Sequence, residues 1–128
     1  MKENNTEIIL GQCIGKSNNY LAVPGQSGER RIIKNDKIRA YEKSFINQCQ
    51  IYKGRGISGR FKLSVTVWHS SVRFDLDNSL KTVLDCLQSV GAITNDSQCF
   101  AIQAEKRIDK NNPRIEYSIE EINKQLSI

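Results

Sequence analysis

The sequence predicts one mixed α/β domain of the α+β kind, a mixed β-sheet flanked by two main helices, spanning residues 1–128. Three observations predict it. Phe61, Leu63, Val65 and Val67 alternate with Lys62, Ser64, Thr66 and Trp68, the period of two that belongs to a half-buried strand. Two further segments carry apolar residues at steps of three and four, the period of a helix with one buried face. The length of 128 residues suits one core and is too short for two.

In chain order, Glu7 to Gly15 is a short β-prone run that gives way to Lys16-Ser17-Asn18-Asn19, a turn-forming cluster. Pro24-Gly25-Gln26-Ser27-Gly28 reads as loop, and Arg30 to Ile33 as a brief strand. Asn35 or Asp36 can cap the first helix, whose stripe is Ile38, Tyr41, Phe45, Cys49 and Tyr52. Three glycines between Lys53 and Arg60 predict a mobile basic loop before the strand at Phe61. From Asp77 to Val90, Leu80, Val83, Leu84, Leu87 and Val90 make the second apolar stripe, and Gly91 is a natural stop. Phe100 to Ile108 and Arg114 to Ile119 read as strands joined by a turn at Asn111-Asn112-Pro113. Glu120 to Leu126 is a fraying helix or a tail, and residues 1–6 and about 121–128 are expected to be flexible ends.

Nineteen Lys and Arg against fourteen Asp and Glu give a net charge of +5, and the excess is localised. Arg30 to Phe74 holds eleven bases and two acids, or +9, which leaves −4 for the rest. A polyanionic partner fits that asymmetry. No apolar run approaches the ~18 residues of a membrane span, and Met1-Lys2-Glu3-Asn4-Asn5 lacks an apolar signal core, so a soluble cytoplasmic protein is expected. Cys13, Cys49, Cys86 and Cys99 stand singly, without the paired spacing of a zinc site, and read as reduced structural thiols.

The chemistry concentrates at Asp75-Leu76-Asp77-Asn78. If the segment is extended, the two carboxylates face one side about 6–7 Å apart, where a hard divalent ion could sit between them and a phosphate. The same residues could equally cap a helix, since Asp satisfies free N–H groups and complements the dipole there. Asp77, Lys81, Asp85 and Gln88 share one helical face, either as a solvated stripe of ion pairs or as a face that sets Lys81 near a scissile phosphate. Asp96, in the polar turn Thr94-Asn95-Asp96-Ser97-Gln98, could fold back beside the pair, and spacing alone does not decide that. His69 reads as a strand-end residue rather than a base, and Phe74 as core rather than a platform for an unpaired base. Ser17, Asn18 and Asn19 fit local turn bonding and a DNA-facing surface equally well.

At these residues the chain resembles a known family. Arg73 close before Asp75-Leu76-Asp77-Asn78, Lys81 four residues on, Asp85-x-Leu87, and then Asn95-Asp96-x-Gln98 resemble the signature of the RusA family of Holliday-junction resolvases. Ser17-Asn18-Asn19 and Ala40-Tyr41 extend the resemblance toward the N-terminus. It implies a homodimer that binds four-way junction DNA and makes paired symmetric nicks, with Mg²⁺, or Mn²⁺ as a substitute, held by Asp75, Asp77 and Asp96. It implies Lys81 as the catalytic lysine, with Asn78 and Asp85 in support. Phe74 and Asn95 depart from the family's commoner residues at their positions. Independently of the resemblance, Arg30, Arg31, Lys53, Arg55, Arg60, Lys62 and Arg73 are candidates for phosphate contacts. Two other functions stay in view, a junction- or DNA-binding protein of the same fold that does not cut, and a metal-dependent nucleotide phosphohydrolase; the latter lacks a glycine-rich phosphate cradle.

Overall fold

In a computed structural model, residues 5–15, 20–24, 30–34 and 36–122 are described. Strands β1 (Glu7–Leu10), β2 (Tyr20–Pro24) and β3 (Arg30–Lys34) precede helix α1 (Asp36–Gln48). Strand β4 (Phe61–His69), helix α2 (Leu76–Ser89), and strands β5 (Cys99–Ile108) and β6 (Arg114–Glu121) follow, with one 3-10 turn at Asp96–Gln98. The α+β class is as expected.

The main sheet has the order β1-β6-β4-β5. β6 runs antiparallel to both its neighbours, while β4 and β5 are parallel, as a strand–helix–strand crossover through α2 requires. β2 and β3 form a separate antiparallel hairpin. Periodicity gives no sign of β2, and its last residue, Pro24, is strand where Pro24-Gly25 predicts loop. A proline fits at that strand end because its missing N–H breaks no interior ladder.

The alternation in β4 does what its period demands. Phe61, Leu63, Val65, Val67 and His69 are buried, and the residues between them are half-buried on the other face. The buried set packs with Ile9, Ile115 and Tyr117 of the sheet, Tyr41 and Phe45 of α1, and Val83, Cys86 and Leu87 of α2. Three of the four cysteines are buried and all four are free thiols.

α1 ends at Gln48, before the last members of its predicted stripe. Cys49 and Tyr52 are buried, but beyond the helix. The cause is Glu7, whose buried carboxylate accepts the backbone N–H groups of Gln50, Ile51 and Tyr52 at 3.0–3.2 Å. These donors turn to a side chain, so the chain leaves the helix there. α2 ends as predicted. Gly91 has φ +75°, with Gly91 N–H donating to the Gln88 carbonyl and Ala92 N–H to that of Leu87.

The glycine-rich basic segment is held rather than loose. Gly54, Gly56 and Ile57 donate backbone bonds to Val90, Gly91 and Ala92, and Thr94 donates back to Ile57. Positive φ at Gly54 and Gly56 makes this path possible. Glu120 and Glu121 belong to β6, so the chain there is strand and not a fraying helix.

Candidate functional site

β4 delivers the chain to a short loop, and α2 begins beyond it. Asp75 is the N-cap of α2, with extended backbone, and Asp77 lies in the first helical turn. Asp75-Leu76-Asp77 is therefore a helix start and not an extended run, so the two carboxylates share the positive end of the helix dipole instead of one face of a strand. The capping geometry is present, yet the Asp75 carboxylate makes no capping bond. Its Oδ2 accepts from Asn78 Nδ2 at 3.2 Å instead. Asp75 and Asp77 are both exposed. Two exposed carboxylates whose oxygens are not committed to helix N–H groups fit a hard divalent ion that also takes phosphate oxygens. Lys81 is exposed one turn further along the face that Asp77 shares with half-buried Asp85 and exposed Gln88.

The loop into this site is fastened from several sides. Lys106 Nζ on β5 donates to the Val72 carbonyl at 2.7 Å. Phe74 is neither core nor an open platform: its ring stacks on His69, centroids 5.1 Å apart, and the Arg73 guanidinium lies 5.1 Å from the Phe74 centroid. Arg73 is thus held against Phe74, two residues before Asp75, and is exposed.

Beneath the loop, polar groups are joined in series. Gln12 Oε1 accepts from Ser70 N–H at 2.8 Å, which orients its Nε2 toward the Cys13 carbonyl and His69 Nδ1. With Nδ1 accepting, His69 Nε2 carries the proton and donates to Ser79 Oγ at 2.9 Å. Ser79 Oγ then donates to the Asp75 carbonyl at 2.8 Å. Burial pushes the His69 imidazole down to about 4, with Lys106 adding to the shift and Asp75 opposing it, so the ring is neutral. Sequence reasoning placed His69 only at a strand end. Its membership of the buried alternation of β4 was the available signal, whereas Gln12, Ser79 and Lys106 carried none.

Asp96 is elsewhere. It opens the 3-10 turn immediately before β5, and its N–H donates to Gln88 Oε1 at 3.1 Å, near the far end of α2. At 1.5 Å per residue, Gln88 lies about 16 Å along the helix from Asp77. The sheet agrees: Cys99, three residues after Asp96, pairs with Phe61 at the start of β4, while Asp75 follows the end of β4. Within one chain Asp96 does not fold back beside the pair. Among the described residues, no three His, Cys, Asp or Glu side chains gather closely enough to hold a metal ion.

The basic candidates divide the same way. Arg73 stands with Asp75. Lys53, Arg55 and Arg60 are exposed at the Asp96 end, with Arg55 over the Tyr52 ring and Arg60 over Phe100, each at 4.9 Å. Lys62 follows on β4, half-buried on the face away from the helices. Arg30 and Arg31 lie on β3 opposite Pro24 and Val23, and their side chains are outside the described part, as are Ser17, Asn18 and Asn19. On the polar face of the sheet, a concavity of about 260 Å³ is lined by Ser64, Thr66, Gln103, Glu105, Glu116 and Ser118 among others, and by none of the predicted site residues. No helix among the described residues is long and apolar enough to cross a membrane.

A family model described as endodeoxyribonuclease RusA matches residues 11–120. A curated relative, the crossover junction endodeoxyribonuclease RusA of Aquifex aeolicus (strain VF5), is 26% identical over 107 residues, which cover 81% of this chain and 82% of the relative.

Proposed function

The chain belongs to the RusA endodeoxyribonuclease family, and on that premise we propose that it is a Mg²⁺-dependent homodimer that resolves four-way DNA junctions by paired symmetric nicks. The observation that carries the reading is the start of α2. There Asp75 and Asp77 are exposed at a helix N-terminus, Arg73 is exposed against Phe74 two residues before Asp75, and Lys81 follows one turn after Asp77.

Asp75 and Asp77 would hold the metal, Mg²⁺ or Mn²⁺, together with Asp96 of the second protomer of the proposed homodimer, since within one chain Asp96 lies at the far end of α2. When bound, the metal supplies an activated water and neutralises charge at the phosphorus. The protein's own groups do the rest. Asn78 orients the Asp75 carboxylate through its amide. The neutral His69 and Ser79 fix the Asp75 backbone carbonyl, so the carboxylate is presented from a rigid point. Lys81 supplies a cation to offset charge on the phosphoryl oxygens in the transition state, and Asp85 on the same face orients Lys81. Arg73, with Lys53, Arg55, Arg60 and Lys62 and the β3 arginines Arg30 and Arg31, contacts DNA phosphates. In-line attack leaving 5′-phosphate ends fits these roles. A four-way junction has two like strands to cut, and a two-fold dimer offers two sites related as those strands are.

The test is incubation with synthetic four-way junctions and matched linear duplex, in Mg²⁺ and in EDTA. Symmetric nicks on the junction alone, abolished by EDTA and by Asp75→Asn, are expected. Asp75→Asn should retain junction affinity, because removing a negative charge does not weaken attraction to phosphate. Cleavage of both substrates alike would sink junction selectivity, and cleavage undiminished in Asp75→Asn would sink the site.

A further inference from the structure

We propose that Lys106 is a positioning residue of the nuclease: its ammonium, bonded to the Val72 carbonyl, locks the turn that carries Arg73 and leads into Asp75, and so sets where the Asp75 carboxylate stands when metal and phosphate arrive. This role deepens the proposed nuclease reading and rests on it. No motif in the sequence points to Lys106, which lies on β5, 34 residues after Val72.

Residues 70–74 join the end of β4 to the N-cap of α2, with a turn at Val72 and Arg73. Both ends of this join are tied beneath the surface. At the β4 end, Asp109 N–H donates to the His69 carbonyl at 2.8 Å and Ser70 N–H donates to Gln12 Oε1. At the α2 end, Ser79 Oγ donates to the Asp75 carbonyl and the Phe74 ring stacks on His69. The middle lacks such support. Val72 is 76% exposed, Arg73 is exposed, and the buried Ser71 hydroxyl has no partner among the described residues. The bond that reaches this stretch from outside is the one from Lys106 Nζ to the Val72 carbonyl. Without it the turn would swing about its two tied ends, and the backbone leading into Asp75 would move with it.

The fold puts Lys106 where it can do this. In the parallel β4–β5 ladder Lys106 is in register with Val67, whose side chain is buried against the helices, so Lys106 stands on the helix-bearing face of the sheet. From there its long apolar stem carries the ammonium to a loop that begins just beyond Val67. An ammonium on a carbonyl is a charge-assisted bond, stronger than a neutral one. Lys106 is half-buried, unlike Arg73 and Lys81, which are exposed and open to a phosphate. Its charge and that of Asp75 act on the His69 imidazole in opposite senses, so ammonium and carboxylate lie around one ring. The consequence is an effect on rate. A carboxylate that shares a metal with a phosphate has to be held within roughly 0.5 Å of its productive position, whereas affinity for the junction comes from phosphate contacts made by other residues.

The experiment compares Lys106→Met, which removes the charge and keeps the stem, with Lys106→Arg, which keeps a charged donor, both in the full chain. In Lys106→Met the single-turnover cleavage of a four-way junction should fall about tenfold or more, and the Mg²⁺ concentration for half-maximal rate should rise. Junction affinity should stay within twofold of wild type, with the same dependence on salt. Lys106→Arg should recover most of the rate. The tie itself has a measure apart from activity: trypsin nicking after Arg73, followed by mass spectrometry, should quicken about tenfold or more in Lys106→Met, with nicking after Lys81 inside α2 unchanged. A wild-type rate in Lys106→Met, or unchanged nicking after Arg73, would overturn the role. So would equal quickening at Arg73 and Lys81, which would mean general loosening, and so would a loss of affinity with a salt slope lower by about one, which would make Lys106 a phosphate contact. A wild type that cuts no junction would sink the nuclease reading itself, whereas an active wild type matched by Lys106→Met would sink the role alone.

Discussion

Ser79 holds two bonds at the start of α2, accepting from the His69 ring and donating to the Asp75 carbonyl, and it is buried. Ser79→Ala would strand the imidazole N–H without a partner, at a cost of about 1–3 kcal/mol measurable by urea denaturation. His69 also sets a pH signature. Its folded value of about 4 lies below the ordinary 6.5. A depressed value means the stabilisation is complete above pH 6.5 and is lost as pH falls toward 4, on the order of 3 kcal/mol across that window. His69→Gln should flatten the change in urea midpoint between pH 7 and pH 4.5, and an unchanged profile would exclude the ring as its source. Glu7 works below that window. Burial pushes its carboxyl up, but the N–H groups of Gln50, Ile51 and Tyr52, with the Cys49 thiol, outweigh it and hold the value below 4.5. Glu7→Ala should cost about 3 kcal/mol, since three buried donors lose their acceptor together. None of this was legible in the sequence: Glu7 read as one polar member of a short strand, because its partners lie more than forty residues away.

At the scale of elements, what periodicity governs was readable and what long-range bonding governs was not. β4, α2 and the stop at Gly91 follow from local pattern, and the structure keeps them. The apolar stripe of α1 runs past the end of the helix because Glu7 stops it, and nothing in the glycine-rich segment itself points to the residues after α2 that hold it. The segment after β1 shows a third kind of coupling. Thr82 Oγ1 donates to the Ile14 carbonyl, Cys13 Sγ lies 3.9 Å from the Ser79 carbonyl, and a Cβ at Gly15 would stand 2.8 Å from that of Asn78. This stretch is therefore a splint along the first turns of α2. Gly15→Ala should displace Asn78, and with it the Asp75 carboxylate that Asn78 orients. We expect a tenfold or greater loss in the single-turnover cleavage rate with junction affinity within twofold of wild type. Equal loss of both would point to general disruption instead.

For the whole molecule, the family signature was legible because its residues keep their order and spacing along the chain, but their meeting in space was not. Linear spacing cannot show that a crossover connection sends Asp96 to the far end of the sheet. Charge behaves similarly. The net +5 mixes a basic surface with acids that belong to the proposed site. Each phosphate contact should appear in the salt dependence of junction binding, so Arg73→Gln and Arg55→Gln should each lower the slope of log affinity against log salt by about one. The strand order has a further consequence, for biosynthesis. β6, at residues 114–121, lies between β1 and β4, so Glu7 meets Tyr117 across 110 residues of chain. The first strand has no neighbour in the sheet until nearly the last has left the ribosome, and such distant pairing is slow to form. Nascent chains arrested before Arg114 carry Asp75, Asp77, Lys81 and Asp96 without a completed sheet to hold them, and in a four-way junction assay they are expected to show no cleavage until β6 has been added.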